Sequence, residues 1–426
     1  MRNSASPKVL PALLLLFTFL GSMLAFLPTP VFASVGCGAT ITANTTLATN
    51  IGPCSGNGLV IGHNGITLNC AGHSISGKGS HVGITLTGRS GAKVENCTVT
   101  GFQYGFQLTS SSSNTLASNT ANKNSYGVML QSSSKNALTS NAANSNTNDG
   151  FYLSGSSSNT LTGNTANGNK NYGFYLSGSS SNTLTGNIAS SNKKHGFYLS
   201  SSSNNKLTKN VAGGNALDGF YLYGSSTNTL TANTANSNRN YGLYLSSSSN
   251  NKLTTNTVDS NTYVGVFLYH SNHDTLTGNV ALGNGEFGFF LESSSNSNTL
   301  SKNTASNNVD LGFYLFAASS NTLTGNTADS NGQNGFLLAS SSSNTLTGNT
   351  AKTNSEDGFY LQASTVNTLK GNTANGNKQY GYFDNTKGSD PVGYGQEGTA
   401  NFYSGDECSG NHLGGSLPAN LGAPQH

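Results

Sequence analysis

The chain has 426 residues, of which only 8% are charged and 34% hydrophobic, with no tryptophan. Ser, Asn, Thr and 53 Gly argue against packed helices, because such residues are poor helix formers, and the low charge removes the usual signature of disorder. Lys and Arg total 19 against 16 Asp and Glu, and fall to 17 without Arg2 and Lys8; so even a balance disfavours nucleic acid as a partner.

Residues 1–33 read as a secretory signal peptide. Arg2 and Lys8 precede an apolar stretch from Leu10 to Leu27, and Val31-Phe32-Ala33 closes it, which is the charged, greasy, small-residue order of an export signal. Cleavage is expected after Ala33. A retained anchor and a lipid-modified Cys37 are the competing readings. No later run is long enough to span a bilayer, so the mature chain is expected outside the cell or in the periplasm. Five cysteines suit an oxidising compartment. Pairing Cys37 with Cys54 and Cys70 with Cys97 leaves Cys408 alone; the second pair is 27 residues apart, close to one repeat.

Residues 34–100 carry more Ile and Val with looser spacing, and read as an N-terminal cap with the first irregular coils. From 101 to 384 a repeat dominates. Gly173-Phe174-Tyr175-Leu176 returns as Gly196-Phe197-Tyr198-Leu199 and Gly219-Phe220-Tyr221-Leu222, at a spacing of 23. A second marker, around Asn-Thr-Leu-Thr-Gly-Asn-Thr-Ala, places twelve leucines from Leu116 to Leu369 at steps of 22 to 24. An asparagine stands three residues after each leucine, from Asn119 to Asn372, and another eight after, from Asn124 to Asn377.

A unit this short cannot bury its own apolar face and must stack on copies of itself. Alternation sends Phe174 and Leu176 inward and Tyr175 outward, with Leu161 and Ala166 as further inward points. Short apolar segments between Ser/Asn/Gly corners, without a 3.6-residue period, describe a coil of parallel strands. Twelve turns at about 4.8 Å make a rod about 58 Å long. The asparagine columns are expected to bridge neighbouring coils, each amide offering a donor and an acceptor. From Asn385 the period is lost. Residues 385–426 read as a loop-rich closing cap and tail, mobile from Gly414.

These repeats resemble the right-handed parallel β-helix repeats of the pectate-lyase-like superfamily. The opening segments, CGATITANTTL from Cys37, GLVIG from Gly58 and GITLNCAGHSI from Gly65, resemble secreted proteins close to the NosD-type periplasmic copper-binding proteins. The resemblance covers about residues 37–384. It implies an all-β solenoid of about 12–14 coils, right-handed, with 23-residue repeats. It is poor for activity, since enzymes, adhesins and accessory proteins share the scaffold.

Several outward features are candidates for function. Tyr152, Tyr175, Tyr198, Tyr221, Tyr244, Tyr314 and Tyr360, with Phe267 and Phe290, form an aromatic column broken by Leu337. Such rings could offer π faces and polar tips to an extracellular polysaccharide, or simply support one another across strands. Glu286, Asp310 and Glu356 share a column two residues before a glycine. They are the candidate carboxylates for a polysaccharide lyase or glycoside hydrolase, with calcium as a possible cofactor in the lyase case. Otherwise no cofactor is expected. His270, His273 and Asp274 form the tightest metal-type group, but two histidines three apart on a turn are weak ligands for copper, and Met129 is the only methionine after residue 33. The NosD copper label is therefore carried to no residue. Thr-x-Thr ranks such as Thr160/Thr162 and Thr345/Thr347 resemble an ice-binding surface, though Lys206, Lys252 and Lys370 interrupt them. The leading expectation is a secreted, monomeric binding rod for carbohydrate. Its rival is a polysaccharide-cleaving enzyme on the same scaffold.

Overall fold

A computed structural model describes residues 32–33, 35–386, 400–418 and 421. The candidate signal peptide lies almost wholly outside the described residues; Phe32–Ala33 alone forms a short strand beside Thr46 and Leu47. Among the described residues there is no helix.

Each turn of the coil contributes up to three short strands, and each strand pairs in parallel with its counterparts one turn before and after. On the first face Phe174–Ser177 lies between Phe151–Ser154 and Phe197–Ser200, with Phe174, Tyr175 and Leu176 in register with their equivalents. On the second face Thr183–Thr185 pairs the same way with Thr160–Thr162 and Lys206–Thr208. These two faces each hold seventeen strands. The third face is made of three-residue segments such as Ile188–Ser190 and Val211–Gly213, joined by single bridges where regular pairing lapses. The solenoid is thus the twelve leucine-marked turns extended at both ends.

The core is a set of columns running the length of the coil. Phe151, Phe174, Phe197 and Phe220 are fully buried, and their rings stack at 4.6–4.8 Å. Leu161, Leu184 and Leu207 on the second face and Ala166, Ala189 and Ala212 on the third complete the interior. A glycine opens each first-face strand because there is no room for more. A Cβ on Gly196 would lie 2.8 Å from the Asn215 amide nitrogen and from the Gly219 carbonyl oxygen.

Four polar ladders seal the corners. In the column of Asn210, the Asn210 amide nitrogen donates to Leu184 O at 2.9 Å and to Asn233 Oδ1 at 3.0 Å. Its own Oδ1 accepts from the Asn187 backbone N–H and side chain, both at 2.9 Å. The column of Asn215 repeats this pattern. A third asparagine ladder runs through Asn182, Asn205 and Asn228, and a serine ladder through Ser179, Ser202 and Ser225. Along these ladders the buried backbone N–H of one turn finds a side-chain acceptor in the next, which is what makes so narrow a core tenable. Asp274 replaces asparagine in the third ladder. Its Oδ1 accepts from the Asn251 N–H at 2.7 Å and from the Asn251 amide at 3.1 Å, while Oδ2 is buried without a partner. Burial pushes this carboxyl up to about 7, against the pull of the Asn251 bonds.

One corner shows the cost of departing from glycine. The residue after each Thr-Leu-Thr strand is left-handed: Gly163, Gly186 and Gly278 lie at φ 63°, 63° and 62°, but Thr255 occupies the same place at 51°. For a β-branched residue that conformation is strained.

The closing segment differs from the sequence expectation. Phe402–Ser404, Glu407–Ser409 and Gly414–Leu417 form another turn, pairing with Thr368–Lys370, Thr373–Asn375 and Tyr380–Asp384. The ladders continue too, from Asn367 to Asn401, Asn372 to Asp406 and Asn377 to Asn411, each across 34 residues. An insertion of eleven residues relative to the usual 23 breaks the visible period without breaking the stack. So Gly414–Leu417 is a paired strand, and most of the expected tail beyond it lies outside the described residues.

Candidate binding face

Outward residues of the first face form an unbroken ring stack from Tyr152 to Tyr314. Tyr152, Tyr175, Tyr198, Tyr221, Tyr244, Phe267, Phe290 and Tyr314 follow one another at centroid distances of 4.7–5.1 Å and interplanar angles of 5–7°. Leu337 interrupts, and Tyr360 resumes with Phe383 at 4.9 Å. The near-parallel planes revise one expectation. Each ring turns its faces to the rings above and below, so the column presents ring edges and phenolic groups, not flat π faces. Strand pairing dictates this: residues in register one strand apart bring their rings into contact.

Burial pushes the hydroxyls of Tyr175, Tyr244, Tyr314 and Tyr360 upward, as it does that of Tyr221, whose neighbours Tyr244 and Tyr198 add to the effect. They remain protonated across the physiological range. The strip is a line of neutral donors and acceptors, flanked on one side by Ser154, Ser177 and Ser200 at the strand ends.

On the other side runs a column that the sequence reading missed, one residue before each strand-opening glycine. Asp149 Oδ1 accepts from the Tyr172 N–H at 3.1 Å, and Asp218 Oδ1 accepts from the Tyr241 N–H at 3.2 Å. Between them, His195 Nδ1 accepts from the Asp218 N–H at 3.2 Å and lies 3.0 Å from Asp218 Oδ2. The His195 ring lies parallel to Tyr172 at 5.6 Å and tilts against Tyr221 at 5.0 Å. Lys194 Nζ stands 5.1 Å from the centre of the Tyr172 ring, within cation–π range. Burial pushes Asp149 up to about 6, opposed by the Tyr172 N–H and by Lys194. Burial likewise raises Tyr172 and Tyr241 to about 12. The available signal was positional: one step along from the acidic column, the coils carry Asp, Tyr and His in turn.

The acidic column is real but dispersed. Asp310 N–H donates to Glu286 O at 2.9 Å, so these two residues sit in adjacent turns. Burial raises both carboxyls, and Asp310 raises Glu286 further. Gln333 donates to Asp310 at 3.2 Å, and Glu356 accepts from Asn334 at 3.1 Å. Glu286 and Glu356 are thereby three turns apart and do not converge on one point.

His270 and His273 are exposed, whereas Asp274 between their turn and the next strand is buried in its ladder. The trio does not face a common ion. Among the described residues no group of three or more His, Cys, Asp or Glu is placed to hold a metal. The threonine ranks line the second face in register and are broken at Lys206, Lys252 and Lys370. Cys37–Cys54 and Cys70–Cys97 are disulfides, and Cys408 is a buried free thiol.

Residues 37–215 match the family model described as periplasmic copper-binding protein (NosD), and residues 247–391 match that of the right-handed β-helix region. No curated protein matches the sequence. Similar solved structures include a double mutant of the periplasmic alginate epimerase AlgG, at 16% identity over 67% of this chain and 75% of that one, with a TM-score of 0.45. The mannuronan C-5 epimerase AlgE4 A-module of Azotobacter vinelandii is 16% identical over 87% and 89% of the two chains, with a TM-score of 0.40. The Dettilon tailspike protein is 14% identical over 64% and 58%, with a TM-score of 0.45.

Proposed function

We propose that this chain, a right-handed parallel β-helix of the pectate-lyase-like type, is an exported rod that binds extracellular polysaccharide along its tyrosine face without cleaving it. The observation that carries the reading is the eight-ring stack from Tyr152 to Tyr314, six of its rings tyrosines, with serine hydroxyls beside it at Ser154, Ser177, Ser200 and Ser246. A polysaccharide is a long, repeating ligand, and a periodic strip of hydroxyl donors and acceptors matches it better than a single pocket would. Because the ring faces are covered, recognition runs through ring edges and hydroxyls, which favours hydrogen bonding over sugar stacking. Export accords with two disulfides and with the periplasmic description of the family model matching the first half.

Retention on immobilised glycans tests the reading. Tyr175→Phe, Tyr198→Phe and Tyr221→Phe combined should lose retention while keeping the stack, because only the hydroxyls are removed. Unchanged retention on every glycan that the parent binds would sink the proposal.

The pair of His195 and Asp218 against Tyr198 and Tyr221 favours a second reading, proton transfer on a bound polysaccharide. Reducing-sugar or unsaturated-product formation lost in His195→Ala would establish it, and Glu286→Gln should then have no effect.

A further inference from the structure

The corner that precedes the tyrosine face carries a separate pattern. From Asn171 to Gln379, the residue two before each strand-opening glycine donates its backbone N–H to the same position one turn earlier, at 2.8–3.3 Å. That unbroken line fixes the order of the side chains along the rod edge. On this line Lys194 lies toward one end and Glu286, Asp310 and Glu356 toward the other, and Lys170, Lys193 and Arg239, each one residue further from its glycine, lie at the end of Lys194. Among the described residues the ion pairs are Lys93–Glu95 and His195–Asp218, so none of these seven charges has an ionic partner there. Between the two clusters stands Tyr263, 42% exposed.

The spacing is symmetric about Tyr263. One turn away lie Arg239 on one side and Glu286 on the other. Two turns away lie Leu217 and, opposite it, Asp310 with its neighbour Val309, the latter 61% exposed, and three turns away Lys194 lies opposite Gln333. Four turns away lie Lys170 and Glu356. A two-fold axis through Tyr263, perpendicular to the rod, would set every turn of one copy against the turn equally far on the opposite side of the other. We propose that this edge pairs two copies of the chain antiparallel, in place of the monomer expected from sequence. Arg239 then meets Glu286 of the partner subunit, Lys170 meets Glu356 of the partner subunit, and Leu217 covers Val309 of the partner subunit. Each contact occurs twice, as a two-fold interface requires. Complementary charge sets the register and direction of such a contact, and the opposite, parallel arrangement is disfavoured because it sets cations on cations. The tyrosine face lies beyond this corner, so the pairing stands or falls independently of glycan binding.

Sedimentation equilibrium on the full-length exported protein tests this. A dimer is expected whose dissociation constant rises with salt. Arg239→Glu should weaken it about ten-fold or more, as should Glu286→Arg, and the two together should restore it, because the swapped charges face each other again. Tyr263→Cys should cross-link the dimer under oxidation, since a residue on the axis meets its own copy, while Lys206→Cys on the second face should not. A monomeric mass at every concentration overturns the proposal, as does a dimer indifferent to both single reversals or not rescued by the double one.

Discussion

Replacing Asp274 by Asn should stabilise the protein above neutral pH and leave it almost unchanged in acid. Asp274 occupies an asparagine position, and its Oδ2 sits buried where its ladder neighbours Asn251 and Asn298 place a donating amide. Burial raises the carboxyl from 3.8 to about 7 in the folded state. A raised carboxyl binds its proton more tightly when folded, so its contribution is fully present below about pH 4. That contribution declines as pH climbs toward 7 and is gone above it. About three units at ~1.4 kcal/mol each give a penalty of roughly 4 kcal/mol at pH 8. Asn removes it, because the amide has no proton to lose. Since solenoids open turn by turn, the assay is hydrogen exchange of the Leu253, Leu276 and Leu300 amides at pH 5 and 8, with urea midpoints alongside. Asp149, Asp357 and Asp406, each near 6, add the same slope to parent and variant, so the difference between the two isolates residue 274. A difference that is constant from pH 4 to 8 would refute the reasoning.

Substitutions at three other positions test the scaffold. Asn210→Ala removes four hydrogen bonds inside a ladder, and at roughly 1–3 kcal/mol for each stranded buried partner it should open its turn locally, read by protease nicking near Leu207. Phe197→Ala should cost about 3–5 kcal/mol in urea unfolding, whereas Phe197→Leu should cost about 1.5 kcal/mol or less, because Leu243 already fills that column two turns on. Thr255→Gly should raise the thermal midpoint, relieving about 1 kcal/mol of left-handed strain; a lowered midpoint would show that the threonine earns its place through contacts.

The coil itself was legible because each of its columns is written many times. One Phe, Leu or Asn proves little, but twelve in register leave few arrangements that bury them. What escaped reading lies where period and chemistry part. Ring orientation depends on side-chain torsions, so Tyr198 could be placed on the outer face without its covered planes being foreseen. His195 and Asp218 were invisible because neighbouring coils put different residues in their column. The ladder of Asn182 and Asn205 was readable two residues before each repeated leucine, with Asp274 as its exception. The last turn was hidden because its spacing changed from 23 to 34.

That change of spacing has a practical meaning. Between Thr386 and Ala400 the chain departs from the repeat and returns to the same three ladders without losing a rung. The spool therefore accepts extra thread at this corner while its winding continues undisturbed. Foreign loops spliced here, or at the equivalent corner of any earlier turn, would be displayed at fixed height on a measured shaft.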